Sequence, residues 1–245
     1  MTQAQAVIET INKLGGVATL SQINQNVFDI KDCEWATKTP FASIRRIVRH
    51  TQGIFVVRKG MYALEDFREE LKKKGIVEQT AENADSVEVK EFNHSYYQGM
   101  LLEMGKVRNF DTFVPDQDKN RKYGNVKLAD IRTLNKIPDF SYPKFVSKSS
   151  SIDVIWFNDR QMPSSFFEVE HTTDIQNSLL KYLELQDFHV RMVIVADEKR
   201  HEEFGKKLDY IAFNDISKRV KFLSYNSLEK QYEQLMFAKD CDLVL

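Results

Sequence analysis

The chain has 245 residues, a formal net charge of −1 and 42% hydrophobic residues, which is typical of a globular protein with a substantial core. No run approaches the roughly 20 apolar residues of a membrane span, and the amino terminus lacks the basic start and apolar core of a signal peptide. The two cysteines, Cys33 and Cys241, lie far apart and do not indicate a disulfide framework, so we expect a cytoplasmic protein without a membrane partner.

The first 65 residues predict three helices followed by a β-hairpin. Residues 4–14 carry apolar side chains at helical spacing, and Ser21 is a suitable cap for a short second helix. Pro40, preceded by a threonine, introduces a third helix. Residues 53–57 and 60–64 are two short β-type runs that indicate the hairpin.

The predicted third helix carries a basic face. Residues 1–65 contain eight Lys or Arg against five acidic residues, a local balance of +3. The element order resembles that of winged helix-turn-helix domains, in which the third helix enters the major groove of double-stranded DNA and the wing meets the backbone. The residues that the resemblance implies as DNA contacts are Ser43, Arg45, Arg46, Arg49, Arg58 and Lys59. A solvated basic face or a protein-interaction module is the alternative.

Composition also predicts how the chain is divided. Residues 66–92 are charged and have little to bury, which marks a linker between a winged-helix domain at 1–65 and a second domain at 93–245. Within the second domain, residues 115–150 mix basic and aromatic side chains. Such a long excursion suits either a loop that wraps a duplex or a solvated insertion packed by its aromatics.

Two apolar runs in the second domain carry carboxylates. Residues 152–157 read as a strand buried on both faces, and a lone carboxylate such as Asp153 loses its hydration there unless a cation or several donors replace the water. In residues 166–171 the period of two places Glu168 and Glu170 on one face, where two like charges raise a pKa or recruit a metal. Three carboxylates favour a hard divalent cation over zinc.

These carboxylates resemble the motif of the PD-(D/E)XK nuclease superfamily, whose core runs helix, strand, strand bearing Asp, strand bearing Glu-x-Lys, helix, strand. The resemblance covers residues 93 to 245 and implies an α/β fold with a mixed, restriction-endonuclease-like sheet. Asp153 takes the place of the superfamily's Asp and Glu168 that of its Glu. Glu170 stands where lysine is usual, as in a minority of restriction endonucleases that carry Glu-x-Glu.

The resemblance also implies a cofactor and roles at the strands. Mg²⁺, or Mn²⁺, would be held by Asp153, Glu168 and the backbone carbonyl of Val169. Glu170 would assist the attacking water by accepting its proton or by binding a second cation.

Neighbouring elements supply further candidates. The first core helix of the superfamily often carries an additional acidic residue, which makes Glu103 a candidate, although a solvent-facing glutamate is an equal reading. Thr172 or Thr173 is expected to cap the helix after the second strand, and Lys181 on that helix is a candidate for the missing cation. His171 alternates to the opposite face and is interpreted as a packed histidine.

The resulting prediction is a Mg²⁺-dependent DNA endonuclease of restriction type, with the winged helix contributing DNA binding. One alternative is a DNA-binding regulatory protein with an inactive nuclease-like domain, which the glutamate at position 170 favours. Another is a nuclease that acts on structured or modified DNA. The recognition sequence, the effect of methylation and the pairing of two copies as a homodimer are left open.

Overall fold

In the computed structural model the chain forms two compact units. The first comprises residues 1–92 and the segment from Glu233 onward, and the second comprises Asn93–Tyr232. None of the helices described combines the length and apolar character that crossing a bilayer requires. The residues that the structure describes are 1–80, 83, 86–171 and 174–242.

The first unit contains the predicted helices and hairpin together with a strand that was not predicted. Strand β3 is the centre of a three-stranded sheet and pairs antiparallel with both β1 and β2. Apolar side chains of α1, α2 and α3 pack with this sheet in one core. The elements in chain order are α1 (Gln3–Lys13), β1 (Val17–Thr19), α2 (Leu20–Asn26), α3 (Pro40–His50), β2 (Ile54–Arg58), β3 (Met61–Leu64) and α4 (Arg68–Lys73).

The helix starts in this unit follow local capping chemistry. Helix α2 is capped by Thr19, whose Oγ1 accepts a hydrogen bond from the backbone N–H of Gln22 at 3.2 Å. The prediction of Ser21 as the cap is therefore wrong, because that residue lies within the first turn. Helix α3 begins at Pro40 as predicted.

The second unit is built on a mixed five-stranded sheet, as predicted. The strand order is β10-β9-β8-β7-β4; β7 pairs antiparallel with both β4 and β8, and β9 pairs parallel with both β8 and β10. A separate two-stranded sheet joins β5 and β6. The elements in chain order from residue 87 are α5 (Val87–Val107), β4 (Asp111–Phe113), β5 (Lys122–Tyr123), β6 (Val126–Lys127), α6 (Leu128–Ile131), α7 (Pro143–Ser149), β7 (Val154–Phe157), β8 (Pro163–Glu170), α8 (Ile175–Glu184), β9 (Arg191–Ala196), α9 (His201–Leu208), α10 (Asn214–Ser217), β10 (Val220–Ser224) and α11 (Tyr225–Asp242). The part of α5 up to Phe92 and the part of α11 from Glu233 belong to the first unit.

Helices α5 and α8 cover opposite faces of this sheet. On one face Tyr182 of α8 donates a hydrogen bond to the carbonyl of Phe166 in β8 at 3.2 Å. On the other, the indole N–H of Trp156 in β7 donates to the carbonyl of Leu101 in α5 at 3.0 Å. A Cβ at Gly105 would lie 2.7 Å from that indole nitrogen, so glycine permits the close approach of α5.

The start of α8 is fixed by Asp174, whose Oδ1 accepts from the backbone N–H of Gln176 at 2.9 Å. The predicted caps, Thr172 and Thr173, lie outside the described residues. The apolar side chains of α8 pack on the sheet. Polar side chains of the same helix lie close to the end of β8.

Candidate active site

Two buried glutamates of β8 meet one hydroxyl group. Glu168 and Glu170 are 1% and 4% exposed. The hydroxyl of Ser178 in α8 lies 3.0 Å from Glu168 Oε2 and also bonds Glu170 Oε1. The period of two in β8 therefore brings both carboxylates to the α8 face of the sheet, as their spacing predicted.

Lys181, one turn beyond Ser178, reaches the same carboxylate. Its ammonium group donates to Glu168 Oε2 at 2.7 Å and to the carbonyl of Ser151 at 2.9 Å. A third of the lysine side chain remains exposed, whereas Glu168 is enclosed. Positions three apart share a helix face, so Ser178 and Lys181 approach the strand together.

Asp153 lies at the same end of the sheet, immediately before β7. Its Oδ2 accepts the backbone N–H of Val169 at 2.7 Å, and its own carbonyl accepts from the side-chain amide of Gln98 at 3.3 Å. Antiparallel pairing of Val154 with Phe167 sets this register. The structure thus brings Asp153 beside the strand that carries both glutamates.

The electrostatics of this group favour a bound cation. Burial raises the pKa of Glu168 well above its ordinary value, the neighbouring charge of Asp153 adds to the rise, and Lys181 opposes it. Burial likewise raises the pKa of Asp153. Burial alone would lower the pKa of Lys181, but the charge of Glu168 leaves it raised. Oε1 of Glu168 is buried and accepts no hydrogen bond from the described residues, so this oxygen can coordinate a metal ion.

Two residues that the sequence did not predict, His94 and Asp118, form with Asp153 a second group that could hold a metal ion. His94 Nε2 lies 3.8 Å from Asp153 Oδ1 and 4.0 Å from Asp118 Oδ2. One ligand atom from each of the three residues falls within 4.8 Å of the others. Asp118 also accepts from Arg121 at 2.8 Å through Oδ1 and from Gln98 at 3.0 Å through Oδ2.

These residues come from distant parts of the chain, which explains why no motif indicated them. His94 and Gln98 lie four residues apart on one face of α5, and that spacing is the one signal available in the sequence. Asp118 belongs to the polar segment 115–150 and is nevertheless 3% exposed.

The remaining candidates of the second unit lie in aromatic surroundings. Glu103 accepts hydrogen bonds from the hydroxyls of Tyr123, at 3.2 Å, and Tyr232. The ring of His171 lies 5.0 Å from that of Tyr225. A catalytic role for Glu103 stays a prediction.

The arginines of α3 differ in their surroundings. Arg46 is exposed. The guanidinium of Arg45 lies 5.0 Å above the ring of Phe237, and Arg49 Nη2 lies 3.6 Å from Glu233 Oε1. Residues of α11 therefore contact two of the three side chains predicted to face DNA.

One of the two basic residues of the hairpin, Arg58, is not presented as predicted. Arg58 is 6% exposed, and its Nη1 donates to the carbonyls of Val57 at 2.7 Å and Val77 at 2.9 Å. The expectation that Arg58 lies at the surface is wrong, because the guanidinium is bonded to backbone inside the first unit. Ser43 and Lys59 are partly exposed.

Comparison with known proteins relates this chain to restriction enzymes. Residues 75–240 match the family model described as the type II restriction enzyme NmeDI C-terminal domain. The type II restriction enzyme NmeDI of Neisseria meningitidis serogroup C is 26% identical over 149 residues, which are 57% of this chain and 42% of that enzyme. Lon protease of Mycoplasma pneumoniae is 24% identical over 170 residues, 68% of this chain and 21% of that protein. The chain thus matches less than half the length of either relative. No solved structure matches it significantly.

Proposed function

The chain belongs to the family of the NmeDI C-terminal domain of type II restriction enzymes, and from that premise we propose that it is a metal-dependent endonuclease that cleaves double-stranded DNA. The observation that carries the proposal is the contact of 2.7 Å between Lys181 and Glu168. The contact adds the ammonium of Lys181 to the carboxylates of Asp153 and Glu168. Strand β8 itself carries Glu170 at the position where lysine is usual in the PD-(D/E)XK superfamily.

The carboxylate end of the sheet suits a hard divalent cation such as Mg²⁺ or Mn²⁺. Asp153, Glu168 and the carbonyl of Val169 would hold it. The N–H and C=O of a strand residue point to the same side, and the N–H of Val169 already meets Asp153. A cation held by these residues would supply Lewis acidity and would make a water molecule easier to deprotonate.

The side chains around this position divide the remaining work. The ammonium of Lys181 donates to a non-bridging phosphate oxygen and offsets the charge that grows on it during hydrolysis. Glu170 accepts a proton from the attacking water. Ser178 bonds both glutamates and so keeps them oriented toward one point.

For the first unit we propose a winged-helix fold that binds DNA. Three helices, the hairpin β2–β3 and the pairing of β1 with β3 agree with that arrangement. Arg46 and Arg49 are exposed on α3, and release from α11 would free Arg45 from Phe237 and Arg49 from Glu233 for contact with DNA. Arg58 is left out because it is bonded internally.

The rival function is a DNA-binding regulatory protein whose nuclease-like unit does not cleave. Its support is that Glu170 replaces the strand lysine and is bonded to Ser178. Under this alternative the carboxylates are structural. The protein would not cleave DNA with any divalent cation, and substitution of Lys181 would not change DNA binding.

Cleavage of supercoiled plasmid decides between the two. We expect linear or nicked products from methylated or unmethylated plasmid with Mg²⁺ or Mn²⁺, and none with chelator. Glu168→Gln should abolish the products and leave DNA binding intact. Binding without cleavage under every condition would favour the regulatory protein.

A further inference from the structure

We propose a second cation site, formed by His94, Asp118 and Asp153, that takes a divalent transition-metal ion. It differs in composition from the all-oxygen group of Asp153 and Glu168, because one ligand is an imidazole. The inference does not require that the protein cleave DNA.

The spacing of the three side chains is the first argument. His94 Nε2 stands 3.8 Å from Asp153 Oδ1 and 4.0 Å from Asp118 Oδ2, beyond hydrogen-bonding distance to either carboxylate. Ligand atoms that share one ion at about 2.0–2.2 Å lie roughly 3–4 Å apart. The gap between these groups therefore has the dimensions of a coordinated ion rather than of a direct ion pair.

Charge is the second argument. Both aspartates are buried, and burial raises the free-energy cost of their negative charge. The neighbouring cations bond other oxygens, since Arg121 meets Asp118 Oδ1 and Lys181 meets Glu168 Oε2. The oxygens that face His94 are thus the ones a metal ion would neutralise.

Gln98 provides an independent observation. Its side chain is fully buried within the cluster, with Nε2 bonded to Asp118 Oδ2 and to the carbonyl of Asp153. Its Oε1 accepts no hydrogen bond within the described part of the chain. These two donations hold the carboxylate of Asp118 and the backbone of Asp153 in place beside His94, so both aspartates are fixed before an ion binds.

The chemistry of the set indicates the class of ion. Imidazole suits transition metals, whereas carboxylate oxygens also suit Mn²⁺. The side chain of His94 is 21% exposed, which gives an ion access from solvent. Mn²⁺ is the appropriate probe because its electron spin reports a bound nitrogen directly.

The test is pulsed electron paramagnetic resonance of the full chain with Mn²⁺ alone. We expect a ¹⁴N coupling from imidazole in the wild type, its loss in His94→Ala, and its retention in His189→Ala, which removes an exposed histidine. Asp118→Asn should keep the nitrogen coupling but weaken Mn²⁺ binding by at least about tenfold. Circular dichroism of each variant confirms that it is folded.

The outcomes also separate this site from the proposed nuclease. Glu168→Gln should keep the nitrogen coupling while it abolishes cleavage. A wild type without ¹⁴N coupling, or a folded His94→Ala variant that retains it, overturns the second site and leaves the nuclease proposal standing. Coupling in a protein that never cleaves DNA would support the second site and refute the nuclease.

Discussion

The ammonium group of Lys181 in helix α8 lies 2.7 Å from the carboxylate of Glu168 in strand β8. The contact links α8 to the strand that precedes it. It places a positive charge beside β8, whose charged residues are both glutamates. It also lowers the cost of ionising a carboxylate that is 1% exposed.

Removal of the lysine should separate chemistry from binding. We expect Lys181→Met to reduce cleavage about 10²- to 10³-fold, the usual loss when one donor to a developing oxyanion is removed, with DNA affinity unchanged. The variant should also be less stable by about 1–3 kcal/mol, because Glu168 is left buried without its charged donor. Plasmid cleavage, filter binding and urea unfolding measure the three quantities. Full activity in the variant would exclude a catalytic role.

An exchange of positions tests whether Lys181 replaces the strand lysine of the superfamily. Glu170→Lys alone should lose cleavage, since the new ammonium lies near Lys181 and removes the acceptor for the water proton. Glu170→Lys combined with Lys181→Ala restores one cation on the strand and should cleave better than Lys181→Ala alone. Equal rates in the single and double variants would contradict a shared task for the two positions.

How far the sequence predicted this site depends on the range of each contact. Glu168 and Glu170 follow from the alternation within one strand, and Lys181 from the face of the helix that comes next. His94 and Asp118 could not be predicted in this way, because their meeting with Asp153 depends on how α5 and the segment after β4 pack on the sheet.

The exposure predicted for Arg58 failed for a local reason. A hairpin turn usually exposes its basic residues, but the pairing of β2 with β3 shifts register between Val56 and Arg58. Such a shift turns the following side chain to the other face of the strand. The guanidinium consequently lies against the ring of Phe92, 4.9 Å from its centre.

Stability without divalent cations should decrease as pH rises. The pKa of Glu168 is raised above its ordinary value of 4.5, so the folded state binds this proton more tightly than the unfolded state does. The stabilisation is complete below pH 4.5 and is lost as pH rises through the folded-state pKa, with a slope of at most about 1.4 kcal/mol per pH unit for one group. Urea unfolding with chelator at a series of pH values should show this decline, and Glu168→Gln should reduce it. An identical slope in the variant would assign the decline to other groups.

Arg46 should account for part of the salt dependence of DNA binding. It is exposed on α3, and loss of one phosphate contact lowers the slope of log affinity against log salt by about 0.9. We therefore expect Arg46→Ala to weaken binding with that change in slope. Arg160→Ala, which removes an exposed arginine of the second unit, is the matched control and should leave the slope unchanged. Should Arg46→Ala bind like the wild type across the salt series, α3 does not face DNA.

Release of α11 should strengthen the same interaction. Phe237 lies under the guanidinium of Arg45 and Glu233 lies 3.6 Å from Arg49, so DNA must compete with both contacts for the basic face of α3. A cation–π contact and an exposed ion pair contribute no more than about 1 kcal/mol each.

The double variant Glu233→Gln, Phe237→Ala should accordingly bind DNA up to about thirtyfold more tightly, with a steeper salt dependence as Arg45 and Arg49 become available to phosphates. Gln234→Ala, an exposed substitution on the same helix, should bind like the wild type. Thermal unfolding distinguishes release of α11 from disruption of the first unit. Disruption would lower both the DNA affinity and the melting temperature. Unchanged affinity in a stable double variant would mean that DNA does not use the arginines of α3 that α11 contacts.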